Sequence, residues 1–148
     1  MAGSALRVTI NLIHRISLVL VVSPMTEQDT ITATTLAIAD QNDRFRRTWG
    51  ADFTVPGQIV VTRGVADLPQ AAIAIIMQLV QQFSEFTEDN DPYGDHTFGA
   101  FEFESAGETY SIFWKIDLYD LSYNMGSDDP ANVDATRRVL TVLHASEY

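Results

Sequence analysis

The sequence contains no cysteine. This excludes disulfide bonds, thiolate nucleophiles and cysteine-ligated zinc or iron–sulfur sites, and it is typical of a chain in a reducing cytoplasm. Basic residues are also scarce, with 9 lysines and arginines against 20 aspartates and glutamates, and the formal net charge is -11 at pH 7. Because nucleic acid repels such a chain, we expect no direct nucleic-acid binding.

Long apolar runs are lacking as well. The apolar stretch at residues 16–22 is far shorter than the roughly 20 residues of a membrane-spanning helix. No small-x-small cleavage site follows it, which argues against an export signal. We interpret residues 1–24 as an N-terminal extension ahead of a start at Met25, or as a strand, because Val, Ile and Leu dominate. Residues 25–148 have the size of a single domain.

Motifs for common catalytic chemistries are absent from the sequence. It contains no Walker or G-x-G-x-x-G loop for nucleotides and no G-x-S-x-G elbow for a serine nucleophile. The histidines, at positions 14, 96 and 144, do not form an H-E-x-x-H pair for zinc. We therefore expect no cofactor and favour a non-enzymatic function in the cytoplasm, away from any membrane.

Hydrophobic periodicity predicts an α+β fold with a small antiparallel sheet and about three helices, in the order α-β-α-β-β-α. An extra N-terminal strand is the open alternative for the extension. Alternation is strongest in residues 108–118, where Tyr110, Ile112 and Trp114 share one face. The predicted elements are helix 26–48, strand 58–63, helix 67–86, strands 98–104 and 108–118, and a last helix from residue 128.

Two Asp-Pro signals support the helix starts. Asp67 stands two residues before Pro69, and Asp129 stands directly before Pro130. Aspartate is a favoured N-terminal cap, and proline is tolerated in the first helical turn. We therefore predict that helices begin at Asp67 and at the Asp128-Asp129 pair.

Acidic residues are concentrated between residues 64 and 136. This span holds fourteen aspartates and glutamates, and its only lysine or arginine is Lys115. Net charge governs association more than fold, so the span predicts either a solvated acidic face or a carboxylate-rich surface for a basic partner. We favour the second interpretation, with a basic protein surface such as a nucleic-acid-binding groove as partner. The candidate partner-binding residues are Glu88, Asp89, Asp91, Asp95, Glu102, Glu104, Asp117, Asp120, Asp128 and Asp129.

The segment 87–103 offers an alternative chemistry. Asp91, Asp95 and His96 could converge on magnesium, manganese or zinc, and a metal-assisted hydrolase is the alternative function. An EF-hand is excluded, because Ala100 occupies the position of the bidentate glutamate. Aspartates beside proline and glycine also form side-chain-to-backbone turns. We favour these turns and expect no metal; His96, Glu102 and Asp117 remain candidates for acid/base catalysis.

Three arginines stand out beside two aromatic residues. Arg44, Arg46 and Arg47 flank Phe45 and precede Trp49 near the end of the first predicted helix. Guanidinium groups bind phosphates and carboxylates through two parallel hydrogen bonds and stack on aromatic rings. The cluster is therefore a candidate anion- or partner-binding site. The alternative is that these arginines pair with the acids of this chain.

Several motifs occur in the same order as in one known family. They are NDRFRRTW from residue 42, VVTRGV from 60, FTEDNDPYGDHTFGAFEF from 86, FWKIDLYD from 113 and GSDDPANVDATRRVLTVLHASEY from 126. Residues 42–148 therefore resemble domain-of-unknown-function family 3768, a small bacterial family often carried on mobile DNA. The resemblance implies an intracellular protein and supplies no catalytic role to carry over to these residues. Its mobile-element setting favours an inhibitor that mimics nucleic acid, like anti-restriction and anti-CRISPR proteins.

Overall fold

The computed structural model describes residues 6–13 and 17–148. Residues 1–5 and 14–16, part of the predicted N-terminal extension, lie outside the described residues. The chain forms two compact units, Met1–Thr34 and Thr35–Tyr148. Over the ranges that the structure describes, no helix combines the length and the hydropathy needed to cross a bilayer.

The first unit contains a hairpin and the start of a long helix. Strands β1 (Leu6–Ile13) and β2 (Ser17–Pro24) pair antiparallel, so the strand predicted for this region is confirmed and a second one accompanies it. Helix α1 spans Glu27–Arg47 and confirms the first predicted helix. Its start is fixed by reciprocal capping, because the Asp29 amide donates to the Thr26 hydroxyl (3.1 Å) and the Thr26 amide donates to the Asp29 carboxylate (3.1 Å).

The second unit is built on a four-stranded sheet in the order β3-β6-β5-β4. Its elements are β3 (Gly57–Val61), α2 (Arg63–Ala66), α3 (Gln70–Gln82), β4 (Phe98–Ser105), β5 (Glu108–Tyr119), β6 (Arg137–His144) and a 3-10 helix (Ala145–Glu147). The α+β class is confirmed, with three α-helices in the described part of the chain. The prediction of an antiparallel sheet is wrong for one strand pair, because β3 runs parallel to β6. Parallel strands need a long crossover connection, and here it runs through α2, α3 and the β4–β5 hairpin.

The predicted last helix is also wrong. Residues 128–136 form turns, and β6 follows as a strand between β3 and β5. On β6, Leu140 and Val142 are buried in the core, while Val139 on the opposite face is half-buried. When a central strand is apolar on both faces, its sequence shows no clear alternation of apolar and polar residues. Periodicity alone then cannot distinguish such a short apolar run from a helix.

Asp67 does not begin the third helix. It ends α2 instead, with its amide donating to the Arg63 carbonyl oxygen. Helix α3 begins at Gln70, directly after Pro69. Proline drives the residue before it, here Leu68, out of the helical region, so a continuous helix from Asp67 is blocked.

The core lies between the sheet and the helices on its inner face. Trp114, Ile112 and Ile116 alternate along β5 into this core, as their spacing predicts. The buried cluster consists of Phe45, Val55, Val65, Ile76, Val80, Phe83, Ile112, Trp114, Ile116, Leu140 and Val142. On the outer face of the sheet, Phe113 contacts the rings of Phe98 and Tyr148 edge-on.

The C-terminal 3-10 helix is tied to the start of α2 by one carboxylate. Glu147 Oε2 accepts hydrogen bonds from the Thr62 hydroxyl (2.7 Å) and the His144 amide (2.8 Å). These bonds, the one from Thr62 first, lower the pKa of Glu147 below its ordinary value of 4.5. A lowered carboxyl pKa stabilises the folded state above the unfolded pKa, and that stabilisation is lost as the pH falls through the folded value.

We therefore expect Glu147→Gln to reduce the acid sensitivity of folding. Thermal unfolding followed between neutral pH and about pH 3 is expected to show a smaller loss of melting temperature in the variant than in the wild type. Glu104→Gln is the matched control, because Glu104 is exposed and its carboxylate accepts no hydrogen bond from the described residues. If the melting curves of the Glu147→Gln variant and the wild type shift in parallel with pH, the carboxylate has no such role.

Candidate functional site

Within the second unit, a buried polar network joins the last part of α1 to α3 and β6. Its members are Asn42, Asp43, Arg46 and Arg138, all of them buried. Arg46 is fully buried and donates to Asp43 Oδ1 (2.7 Å), to the Gln81 carbonyl oxygen (3.1 Å) and to the Val80 carbonyl oxygen. Burial lowers the pKa of Arg46, and its hydrogen bond to Asp43 opposes that shift. The sequence singled out Arg46 only as part of a candidate anion-binding cluster, and the structure buries it.

Arg46 also lies against two aromatic rings. Its guanidinium carbon is 4.9 Å from the centroid of Trp114 and 5.7 Å from that of Phe86. A desolvated guanidinium over an aromatic face gains cation–π energy. Arg46 therefore contacts Asp43, the end of α3 and two aromatic rings of the core at the same time.

His96 lies between two carboxylates beside this arginine. Its Nδ1 is 3.1 Å from Asp43 Oδ2, and its Nε2 is 3.7 Å from Asp91 Oδ2. Nδ1 is buried and has no hydrogen bond of good geometry. The imidazole stacks on Phe86 with ring centroids 3.7 Å apart, and the backbone at His96 is left-handed, with φ 56°. The ring is thus held on one face by Phe86 and at its two nitrogens by Asp43 of α1 and Asp91 of its own loop.

Asp91 and Asp95 shape the loop that carries His96. Asp91 Oδ1 accepts the backbone amides of Asp95 and His96 at 3.2 Å each, and the Asp91 side chain is 5% exposed. Burial raises the pKa of Asp91. Asp95 accepts the Thr97 hydroxyl (2.8 Å), and its carbonyl oxygen accepts Asn42 Nδ2 (2.8 Å). Both residues act as turn formers, and within residues 6–13 and 17–148 no group of three acidic or histidine side chains is arranged to hold a metal ion.

Arg138 anchors the other end of the network. It donates to Asn42 Oδ1 (2.8 Å) and to Gln41 Oε1 (2.6 Å), and burial lowers its pKa to about 10. Sequence reasoning missed this residue because it was assigned to a helix. In the strand, Arg138 shares the buried face with Leu140 and Val142.

The three arginines predicted as an anion-binding site already pair with acids of the same chain. Arg44 Nη2 is 2.8 Å from Asp52 Oδ2, Arg47 Nη2 is 3.4 Å from Asp43 Oδ2, and Arg46 is buried. Hydrogen bonds from Thr54 lower the pKa of Asp52, and the hydrogen bond from Arg44 adds a smaller effect in the same direction. This arrangement matches the alternative interpretation, in which the arginines neutralise local carboxylates.

The acidic candidates separate into distinct places in the second unit. Glu88 and Asp89 are exposed in the loop before β4, and Glu102 and Glu104 are exposed on β4. Asp120, Asp128 and Asp129 line a groove of about 360 Å³. Asp117 pairs with Lys115 at 2.9 Å.

Most of these acids have no cationic partner. In the part of the chain that the structure describes, Asp91 and Asp117 are the only two of the ten candidates in ion pairs. The other described ion pairs join arginines or His96 to acids outside the candidate set. Exposed candidate acids such as Glu88 and Asp128 therefore present negative charge that no described cation pairs with.

The His96 imidazole is 27% exposed, so part of the ring is open to solvent. However, Asp91 holds the loop and Asp43 binds Arg46, so both carboxylates already have structural partners. The exposed acids, in contrast, have carboxylate oxygens that can still accept hydrogen bonds from a partner.

A family sequence model matches residues 61–147. This range runs from the second residue of the VVTRGV motif to just beyond the C-terminal strand. No curated protein and no solved structure matches the chain. The match spans more than half of the sequence and confirms the resemblance drawn from the motifs: the chain belongs to the family described as Protein of unknown function (DUF3768).

Proposed function

We propose that this protein is a cytoplasmic, non-enzymatic binding protein whose exposed carboxylates engage a basic groove on a partner protein. The groove that fits is one that otherwise holds nucleic acid, as in restriction and CRISPR nucleases, so the protein would act as an inhibitor. One observation carries the proposal: exposed acids such as Glu88, Asp89, Asp128 and Asp129 have no cationic partner among the described residues.

The internal pairing of the arginines supports this choice of partner. Arg44, Arg46 and Arg47 already bind acids of α1 and of the turn after it. The exposed charge of the acidic span is therefore negative, with Lys115 bound to Asp117. Complementary potentials accelerate association and suppress wrong partners, and repulsion between the span and nucleic acid favours a protein that binds nucleic acid over nucleic acid itself.

Binding to purified nucleases with basic grooves tests the proposal. We expect at least one member of a panel of restriction and CRISPR nucleases to bind the full chain, with an affinity that falls about ten-fold or more between low and moderately high salt. Isothermal titration calorimetry at several salt concentrations measures this dependence. Binding that does not respond to salt, or no binding across the panel, would contradict the proposal.

Paired variants separate the proposed surface from net charge. Asp128→Asn/Asp129→Asn and Glu88→Gln/Asp89→Asn each remove two unpaired acids, and each is expected to weaken binding by about five-fold. Asp40→Asn/Asp67→Asn is the matched control, with the same charge change at exposed acids that already face Arg44 and Arg63. Equal weakening by all three variants would show that net charge alone drives the association.

A further inference from the structure

A groove on the outer face of the β4–β5 hairpin combines an apolar floor with one carboxylate. Its volume is about 360 Å³. Register places Ala100 opposite Phe113, and Glu102 opposite Ser111, so these four residues form adjacent pairs on one face. The lining residues are Ala100, Phe101, Glu102, Ser111, Phe113 and Ala145.

The carboxylate in this groove is held in place and lacks a counter-charge. Glu102 Oε1 accepts the Ser111 hydroxyl at 2.6 Å, which limits the rotation of an otherwise exposed side chain. Among the described residues no lysine, arginine or histidine forms an ion pair with it. Lys115, on the same sheet face, is already bound to Asp117 at 2.9 Å.

Aromatic rings flank the groove. The Phe113 ring lies 5.2 Å from Phe98 and 5.5 Å from Tyr148, both in edge-on geometry. Tyr148 is 76% exposed, so its ring remains accessible to a partner. A carboxylate beside aromatic and methyl surface suits a side chain with an apolar stem and a cationic, planar head.

We propose that this groove binds an arginine side chain from a basic segment of a partner protein. The guanidinium bonds to the Glu102 carboxylate, and the aliphatic stem lies on Ala100 and Phe113. Arginine fits better than lysine, because its planar fork can meet a carboxylate through two hydrogen bonds and can stack on a ring. This inference rests on the proposed function, since it names the chemistry by which the basic partner is recognised.

A labelled arginine-rich peptide tests the groove directly with the full chain. Fluorescence anisotropy is expected to show saturable binding that Glu102→Gln weakens by about ten-fold, because the variant removes a charge-assisted hydrogen bond. Glu108→Gln is the matched control: it removes an exposed charge from the same hairpin outside the groove, and we expect it to change affinity by less than about two-fold. A peptide of the same sequence with citrulline in place of arginine is expected to bind at least about ten-fold more weakly.

Two results would overturn the inference. Equal weakening by Glu102→Gln and Glu108→Gln would show diffuse attraction without a site. Equal binding of the citrulline peptide would show that binding does not depend on the positive charge of arginine. The proposed function fails separately. Peptide binding that depends on Glu102, without binding to any nuclease, would support the arginine site and contradict the proposed function. Nuclease binding that Glu102→Gln does not change would support the proposed function and contradict the arginine site.

Discussion

Replacing Arg46 with methionine is expected to lower the free energy of unfolding by about 3–5 kcal/mol. The guanidinium is fully buried, and its loss leaves the buried Asp43 carboxylate without its buried counter-charge, with only the partly exposed Arg47 at 3.4 Å and His96 Nδ1 at 3.1 Å beside it. The carbonyl oxygens of Val80 and Gln81 at the end of α3 lose their donor at the same time. Methionine keeps an unbranched side chain in the cavity, so the expected loss reflects charge and hydrogen bonding more than volume. Equilibrium unfolding in urea measures the difference.

Two further variants make this expectation specific. Arg44→Met removes an arginine two positions before the buried Arg46, but Arg44 is exposed, and we expect a cost below about 1 kcal/mol. Adding Asp43→Asn to Arg46→Met removes the uncompensated charge and is expected to restore part of the lost stability. Equal costs for Arg46→Met and Arg44→Met, or a further loss in the double variant, would contradict the buried ion pair.

Gly99→Ala is expected to destabilise the second unit by about 2–3 kcal/mol. A Cβ atom at this position would lie 2.5 Å from Trp114 Cε2 and 2.6 Å from Cζ2. The indole has no room to retreat, because it is fully buried and meets the rings of Phe83 and Phe86 edge-on. Glycine is required here by the close approach of β4 to the indole. Urea unfolding of the variant measures the cost.

Gly126→Ala is the matched control for this substitution. Its Cβ would meet nothing closer than the Leu118 carbonyl oxygen at 3.9 Å, so we expect a change within about 0.5 kcal/mol. A smaller ring should relieve the clash, and Trp114→Phe is therefore expected to cost less in the Gly99→Ala background than in the wild type. Additive costs in that cycle would show that the methyl group and the indole do not collide.

The sequence predicted those elements whose pattern is set by one buried face. Strand β5 was predicted because Ile112, Trp114 and Ile116 alternate with polar or partly covered neighbours. Strand β6 was not, because it is hydrogen-bonded on both sides and carries apolar residues on both faces. Its position between β3 and β5 depends on long-range pairing that no local window contains.

The candidate site was predicted only in part for a related reason. Exposed acids such as Glu88 and Glu102 were identified from composition, which needs no knowledge of contacts. Asp91 looks the same in the sequence, yet its side chain is 5% exposed because backbone amides of its own loop surround it. Asn42 and Arg138 meet across 96 positions, a distance over which residue patterns carry no information.

Displacement of DNA is the most direct test of the claim that exposed, unpaired carboxylates occupy a basic groove. Labelled duplex DNA bound to each nuclease of the panel is titrated with the full chain and, in parallel, with the Asp128→Asn/Asp129→Asn variant. We expect the wild type to release the DNA from at least one nuclease, and the variant to need about five-fold more protein for the same release. DNA that stays bound to every nuclease at saturating protein would contradict the claim.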